Sequence, residues 1–123
     1  MLVPNSIVVS ETEFSALVAA ALVDEPTPDF IVGPGRSGAV AAVYASYRMH
    51  RPFVPYGHPG GPKGSTVLIV DTVSMTGGTI RKARAKYERM GFVVRTLTIV
   101  PENQKRHHFW FEYADGHPVR QEA

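Results

Sequence analysis

Apolar residues follow two spacings that alternate from segment to segment along the chain. Helical spacing appears three times, and its first instance follows a capping box, Ser10-Glu-Thr-Glu13. The predicted helices cover residues 11–23, the segment after residue 38, and the segment after residue 79 as far as Gly91. A short buried run occupies residues 30–32, and an unbroken apolar run, typical of a strand covered on both faces, occupies residues 66–70. A further buried strand is predicted over residues 92–100. Strands that alternate with helices predict an α/β fold, a Rossmann-like parallel sheet with helices on both faces.

The composition is that of one compact domain, with 123 residues of which 44% are apolar and 20% charged. We expect a single domain over residues 1–123, with a core over about 29–100 and a tail, 101–123, that forms a minimal hood or an edge element. The chain has no cysteine, which excludes disulfides, thiolate zinc sites and a cysteine nucleophile. It shows neither a basic leader nor a run of about 20 apolar residues, so we expect a cytoplasmic protein without a membrane partner.

Two of the predicted strands are followed directly by a glycine-rich turn. Gly33-Pro-Gly35-Arg36-Ser37-Gly38 follows the first, and Thr76-Gly77-Gly78-Thr79 comes shortly after Asp71, which ends the second. Ligands of parallel sheets bind at the carboxyl ends of the strands. We therefore expect the two turns and the Asp71 carboxylate to meet in one crevice.

The second turn suits a phosphate group. Gly77 and Gly78 have no Cβ, so the backbone can approach a ligand closely, and the following helix presents its amides and the positive end of its dipole. Asp71 suits sugar hydroxyls or a hydrated Mg²⁺. Three hydroxyl groups can donate further hydrogen bonds, those of Ser74, Thr76 and Thr79. The alternative for this turn is a plain strand-to-helix turn without a ligand. A P-loop is excluded, because Gly78 is followed by Thr79 where that motif requires a lysine. A dinucleotide site at the first turn is disfavoured, because no acidic residue ends the next strand.

The segment Val67-Leu-Ile-Val-Asp-Thr-Val-Ser-Met-Thr-Gly-Gly-Thr79 resembles the phosphoribosyl-pyrophosphate signature of type I phosphoribosyltransferases. The Gly35-Arg36-Ser37-Gly38 turn is similar to that family's pyrophosphate loop, and the segment 56–64 occupies the place of its flexible catalytic loop. The resemblance covers about residues 29–100. Orotate and other pyrimidine-type members are favoured, because Ile31-Val-Gly-Pro34 resembles the corresponding stretch of orotate enzymes.

The resemblance implies a pentosyltransferase that transfers the 5-phosphoribosyl group from phosphoribosyl pyrophosphate to a nitrogenous base and releases pyrophosphate, with Mg²⁺ as cofactor. Asp71 would bind ribose hydroxyls and the metal, and Arg36 would stabilise the leaving group. The remaining roles implied are pyrophosphate binding by Gly35, Arg36, Ser37 and Gly38, and substrate binding by Asp71, Thr72, Ser74, Met75, Thr76, Gly77, Gly78 and Thr79. Lys63 and His58 would be further catalytic cations, on a loop that we expect to be mobile.

Three departures from the family pattern leave a second hypothesis open. Thr72 replaces the second acid of the signature, and the 57–64 loop is much shorter than the usual lid. Met75 stands where hypoxanthine-guanine enzymes carry a general base, which makes those purines poor candidates. The alternative is a non-catalytic regulatory protein of the same fold that binds phosphoribosyl pyrophosphate or a nucleotide.

The tail and the basic residues allow further interpretations. Trp110 is a candidate for stacking on a nucleobase, although the aromatic tail residues could equally cover the sheet as an edge strand or hairpin. The net charge of +2 is too small to indicate a nucleic-acid partner, and RNA binding through the basic segment 81–89 ranks last. A homodimer is compatible with so small a core.

Overall fold

The structure is a computed structural model that describes residues 6–73, 77–100, 106–114 and 117–118. The elements in chain order are β1 (Ser6–Val9), α1 (Glu11–Ala21), β2 (Phe30–Val32), α2 (Gly35–Met49), β3 (Thr66–Val73), α3 (Gly78–Arg89), β4 (Val93–Val100), β5 (Arg106–Phe109), a 3₁₀ turn (Trp110–Glu112), β6 (Tyr113–Ala114) and β7 (His117–Pro118).

The central sheet is parallel, with the strand order β2-β3-β4. Ile31 lies opposite Leu68, and Leu68 lies opposite Arg95. Helix α2 connects the first two strands and α3 connects the second and third, so each helix starts at the carboxyl edge of the sheet and returns the chain to the amino edge. The predicted α/β architecture is confirmed.

Alternate residues of the strands face opposite helices, as the pleat of a strand requires. Ile31, Leu68 and Val70 pack with α1 and α2 in one core cluster. The neighbouring residues of the strands, among them Phe30 and Val67, pack in a second cluster with Ala83 and Tyr87 of α3. Both faces of β2 and β3 are therefore covered, which explains why these two strands are apolar at successive positions rather than at alternate ones.

Helix α1 begins as its sequence predicts. Ser10 accepts a hydrogen bond from the Glu13 amide at 3.2 Å, and the Glu13 carboxylate accepts one from the Ser10 amide at 3.3 Å. The helix ends at Ala21, two residues before the predicted boundary, and the chain continues through Pro26 and Pro28 to β2.

The remaining strands belong to two small sheets. Strand β1 pairs with β5 in parallel, and β6 pairs with β7 in antiparallel. Phe53, in the short apolar segment after α2, forms only an isolated parallel bridge with Ile31. Within the described residues, none of the helices has the length and apolar character that a membrane span needs.

Candidate functional site at the carboxyl edge of the sheet

A hydrogen bond between two hydroxyl groups joins the first glycine-rich turn to the end of β3. Thr72 Oγ1, near the end of β3, donates to Ser37 Oγ, in the first turn of α2, at 3.0 Å. Asp71 precedes Thr72 on β3 and is 8% exposed. The first turn and the end of β3, which carries Asp71, therefore lie at one edge of the sheet; that both turns and the Asp71 carboxylate share one crevice stays a prediction.

The Asp71 carboxylate is held by its own backbone neighbour. Its Oδ1 accepts a hydrogen bond from the Thr72 amide at 2.8 Å. Burial raises the pKa of Asp71, and the hydrogen bond from the Thr72 amide partly offsets that rise. A carboxylate with little water around it interacts strongly with a hydroxyl or cation that reaches it, because the local dielectric is low.

The glycines of the first turn are needed where backbone passes close to backbone. A Cβ on Gly33 would lie 1.9 Å from the carbonyl oxygen of Gly38, and a Cβ on Gly38 would lie 3.3 Å from the carbonyl oxygen of Val70. Gly35 has a φ of +70°, in the left-handed region that favours glycine. Gly33 and Gly38 thus let α2 start directly against the sheet, and their packing accounts for them without a ligand.

Helices α2 and α3 begin differently from α1. The N-cap of α1 is Ser10, whose hydroxyl caps the helix, whereas the N-cap residues of α2 and α3 are Pro34 and Gly77, whose side chains carry no acceptor. Gly77 has a φ of 76°. Both helices start at the same edge of the sheet, and at neither start does the N-cap side chain cap the helix. This arrangement suits an anionic ligand.

The second turn is described only in part. Gly77, Gly78 and Thr79 form the start of α3, and Thr79 is exposed. The other three predicted substrate-binding residues of this turn, Ser74, Met75 and Thr76, lie outside the described residues. The phosphate site assigned to this turn remains a prediction.

Arg36 and Ser37 lie in the first turn of α2, beside the end of β3. The Arg36 side chain is exposed, and a guanidinium can bind two oxygens of a phosphate at once. Of the predicted site residues, Ser37 and Thr72 are in contact, and Arg36 and Asp71 are their neighbours along the chain.

The structure does not bring His58 and Lys63 to this edge. The carbonyl oxygen of His58 accepts a hydrogen bond at 3.0 Å from the hydroxyl of Tyr87, in the last turn of α3. The Lys63 methylenes lie beside Gly91, where α3 has already returned the chain to the amino edge. The catalytic roles predicted for these two cations rested on the position of their loop in the family, and that loop lies against the other end of α3.

Trp110 lies in an aromatic cluster of the core. Its ring centroid is 5.3 Å from that of Phe14, 6.1 Å from that of Tyr44 and 4.9 Å from that of Phe111. The indole is packed edge-on against these rings on the α1 and α2 face of the sheet. The geometry favours the interpretation in which the tail aromatics cover the sheet over the one in which Trp110 stacks on a base.

A magnesium site at Asp71 would need partners from a substrate. Within the described ranges, no three His, Asp or Glu side chains lie close enough to hold a metal ion together. Mg²⁺ is commonly held by one or two carboxylates together with substrate phosphate oxygens and water. A single carboxylate at the edge of the sheet, such as that of Asp71, fits that mode of binding.

No family model matches the chain, and no curated protein matches its sequence. Several solved structures match its fold. A purine phosphoribosyltransferase from Pyrococcus horikoshii is 22% identical, with a TM-score of 0.74, and the match covers 89% of this chain and 96% of that one. An orotate phosphoribosyltransferase from Aeropyrum pernix is 19% identical, with a TM-score of 0.58, over 72% of this chain and 68% of that one. A hypothetical protein from Neisseria gonorrhoeae, solved with bound ppGpp, is 10% identical, with a TM-score of 0.73, and the match covers 89% of this chain and 92% of that one.

Because these sequence identities are low, the comparisons establish the fold alone. The chain has the phosphoribosyltransferase fold, which confirms the family resemblance at the level of architecture. Fold alone does not determine chemistry, and the functional conclusion must rest on the site.

Proposed function

We propose that this chain binds phosphoribosyl pyrophosphate at the carboxyl edge of β2 and β3 and transfers its 5-phosphoribosyl group to a nitrogenous base. The observation that carries the proposal is the hydrogen bond between Thr72 and Ser37, which joins the turn after β2 to the end of β3 next to Asp71. Support also comes from the shared fold of orotate and purine phosphoribosyltransferases. Orotate or another pyrimidine is the favoured acceptor.

Each part of the substrate has a matching group in this arrangement. The amides at the start of α3, from Gly77 onward, would receive the ribose 5-phosphate. The Asp71 carboxylate would accept hydrogen bonds from the ribose hydroxyls. Arg36 and the backbone around Ser37 would hold the pyrophosphate, since a guanidinium can bind two phosphate oxygens at once.

The reaction is a displacement at the anomeric carbon. The bond from that carbon to the pyrophosphate oxygen breaks, its electron pair leaves with pyrophosphate, and a ring nitrogen of the base forms the new bond. The proton of that ring nitrogen passes to the pyrophosphate or to water. Positive charge develops on the ribose and negative charge on the leaving group, so Arg36 would stabilise the transition state more than the ground state. Mg²⁺, when bound, would neutralise further charge on the pyrophosphate. His58 and Lys63 have no part in this scheme, because they lie at the other edge.

Release of pyrophosphate tests the proposal. The chain is incubated with phosphoribosyl pyrophosphate, Mg²⁺ and each of a panel of pyrimidine and purine bases, and pyrophosphate is measured over time. Release that depends on one base is expected, with Asp71→Asn reducing it. Tight binding of phosphoribosyl pyrophosphate without base-dependent release would defeat the catalytic proposal.

A second candidate is a non-catalytic nucleotide-binding protein of the same fold. It is favoured by the Neisseria gonorrhoeae structure, which matches most of both chains and holds ppGpp. The position of the 57–64 loop also favours it, since that loop does not cover the site. Binding of ppGpp, competed by phosphoribosyl pyrophosphate and weakened by Asp71→Asn, together with no base-dependent release, would establish this function instead.

A further inference from the structure

Positive charge is concentrated on one helix. Helix α3 has five basic residues and one acidic residue among its 12 positions. The rest of the chain has eight basic and ten acidic residues, so the net charge of +2 hides a cationic helix on an otherwise acidic protein. So uneven a distribution creates a local potential that attracts anions.

The two flanks of α3 carry different charges. On one flank Arg84 and Glu88 form an exposed ion pair at 3.6 Å. On the other flank Lys82, Lys86 and Arg89 follow one another at spacings of four and three residues, which places them on the same side of the helix over about 10 Å. Like charges at these spacings destabilise a helix, and no acidic residue stands three or four positions from any of the three.

A fourth cation lies near the end of α3. Lys63 is exposed, and its Cγ lies 3.1 Å from the point that a Cβ on Gly91 would occupy, just beyond the end of α3. We call Lys63, Lys82, Lys86 and Arg89 the basic stripe. The proposed transfer reaction does not use it.

An aromatic ring lies beside the basic stripe. Tyr56 is 37% exposed, and the Lys86 Nζ lies 5.9 Å from the centroid of its ring. The buried ring of Tyr87 packs edge-on against the Tyr56 ring, with the two centroids 5.9 Å apart, and so restricts the position of Tyr56. The Tyr87 hydroxyl also accepts a hydrogen bond from the Gly57 amide at 2.9 Å, which anchors the residue next to Tyr56.

We propose that the basic stripe and Tyr56 bind single-stranded nucleic acid, with phosphates along the stripe and a base stacked on the Tyr56 ring. A line of cations next to an anchored, partly exposed aromatic ring is the combination that binds single strands without sequence preference. A duplex would use the cations alone, because its bases are stacked internally. Insertion into an anionic membrane is disfavoured, since the apolar residues Ala83 and Tyr87 of α3 are fully buried in the core.

Fluorescence anisotropy with a labelled oligouridine of about 12 nucleotides, measured with the full chain from about 50 to 200 mM salt, tests this proposal. Lys86→Gln/Arg89→Gln removes two cations of the stripe. Arg48→Gln/Arg51→Gln is the matched control, because it removes two exposed cations at the end of α2. The wild type is expected to lose about sevenfold more affinity over this salt range than the stripe variant, and the control is expected to behave as the wild type.

The aromatic ring is tested separately from the charges. Tyr56→Phe keeps a ring and is expected to bind as the wild type, whereas Tyr56→Leu is expected to lose about fivefold or more. Thermal unfolding confirms that each variant is folded. Binding of phosphoribosyl pyrophosphate is expected to be unchanged in Lys86→Gln/Arg89→Gln, so this proposal and the proposed transfer reaction can fail independently.

Four results would overturn the proposal: no binding of oligouridine at low salt, equal losses in the stripe variant and the control, tighter binding of a duplex of the same length, or equal affinity in Tyr56→Leu and Tyr56→Phe. Binding of polyglutamate or anionic vesicles as tightly as oligouridine would also overturn it, since it would show a general attraction for polyanions.

Discussion

Replacing Thr72 by valine removes the hydroxyl that joins the first turn to the end of β3 and little else. Valine has almost the same shape, and it suits a buried strand position, where Thr72 is 4% exposed. The substitution removes the 3.0 Å hydrogen bond to Ser37. Such a bond contributes about 0.5–1.5 kcal/mol net. Ser37 is half-buried, so water can replace the lost partner, and we expect a cost of about 1 kcal/mol.

Thermal unfolding followed by circular dichroism measures this cost. For a domain of this size, 1 kcal/mol corresponds to a fall in Tm of about 3–6 °C. Thr96→Val is the control: Thr96 is a half-exposed threonine on β4, opposite Ile69 in the register, and its replacement is expected to leave Tm nearly unchanged.

A double-mutant cycle with Ser37→Ala isolates the bond itself. The two single variants and the double variant are expected to lose similar amounts of stability, which gives a coupling energy of about 1 kcal/mol. The affinity for phosphoribosyl pyrophosphate is expected to fall in all three, because the ends of β2 and β3 are no longer tied together. A coupling energy near zero, or unchanged affinity in every variant, would refute the reasoning that the bond organises the site.

Three further substitutions have defined outcomes. Burial raises the pKa of Asp71, so the folded chain keeps this proton to higher pH than the unfolded chain, and the free energy of unfolding falls as pH rises from about 3.8 through the raised pKa. Asp71→Asn is therefore expected to be more stable than the wild type near neutral pH but not in acid. The same difference in free energy of unfolding between the two proteins at every pH, measured by urea unfolding, would contradict this. Tyr87→Phe removes two hydrogen bonds to the 57–64 loop and is expected to cost about 1–3 kcal/mol in urea unfolding, and an unchanged midpoint would show that the loop is held otherwise. Gly33→Ala places a Cβ 1.9 Å from the Gly38 oxygen and is expected to cost about 3 kcal/mol or more, so wild-type stability would contradict the close packing.

The sequence allowed the central sheet and its helices to be predicted because their signals are local. Apolar runs at 30–32 and 66–70 mark strands covered on both faces, and the capping box at Ser10 marks the start of α1. The rule that ligands bind at the carboxyl ends of parallel strands then placed Asp71 and the first turn together. That inference needs only strand order and direction, and the Thr72 to Ser37 contact confirms it.

Other features depend on contacts between distant parts of the chain. Strands β1 and β5 pair although they are nearly the whole chain apart, and each has only four residues. Tyr87 reads as one apolar position of a helix, and nothing local indicates that its hydroxyl binds the backbone at residues 57 and 58. The resemblance placed the 57–64 loop near the site, but these contacts hold it beside α3.

Phosphoribosyl pyrophosphate is proposed to bind at the carboxyl edge of the sheet, between the start of α2 and the start of α3. Amide chemical shifts of the isotope-labelled chain, recorded as phosphoribosyl pyrophosphate and Mg²⁺ are added, test this proposal. We expect the largest shifts at residues 35–38, at residues 71 and 72, and at residues 77–79. Shifts concentrated along Lys82, Lys86 and Arg89 instead, or no saturable shifts at all, would contradict it.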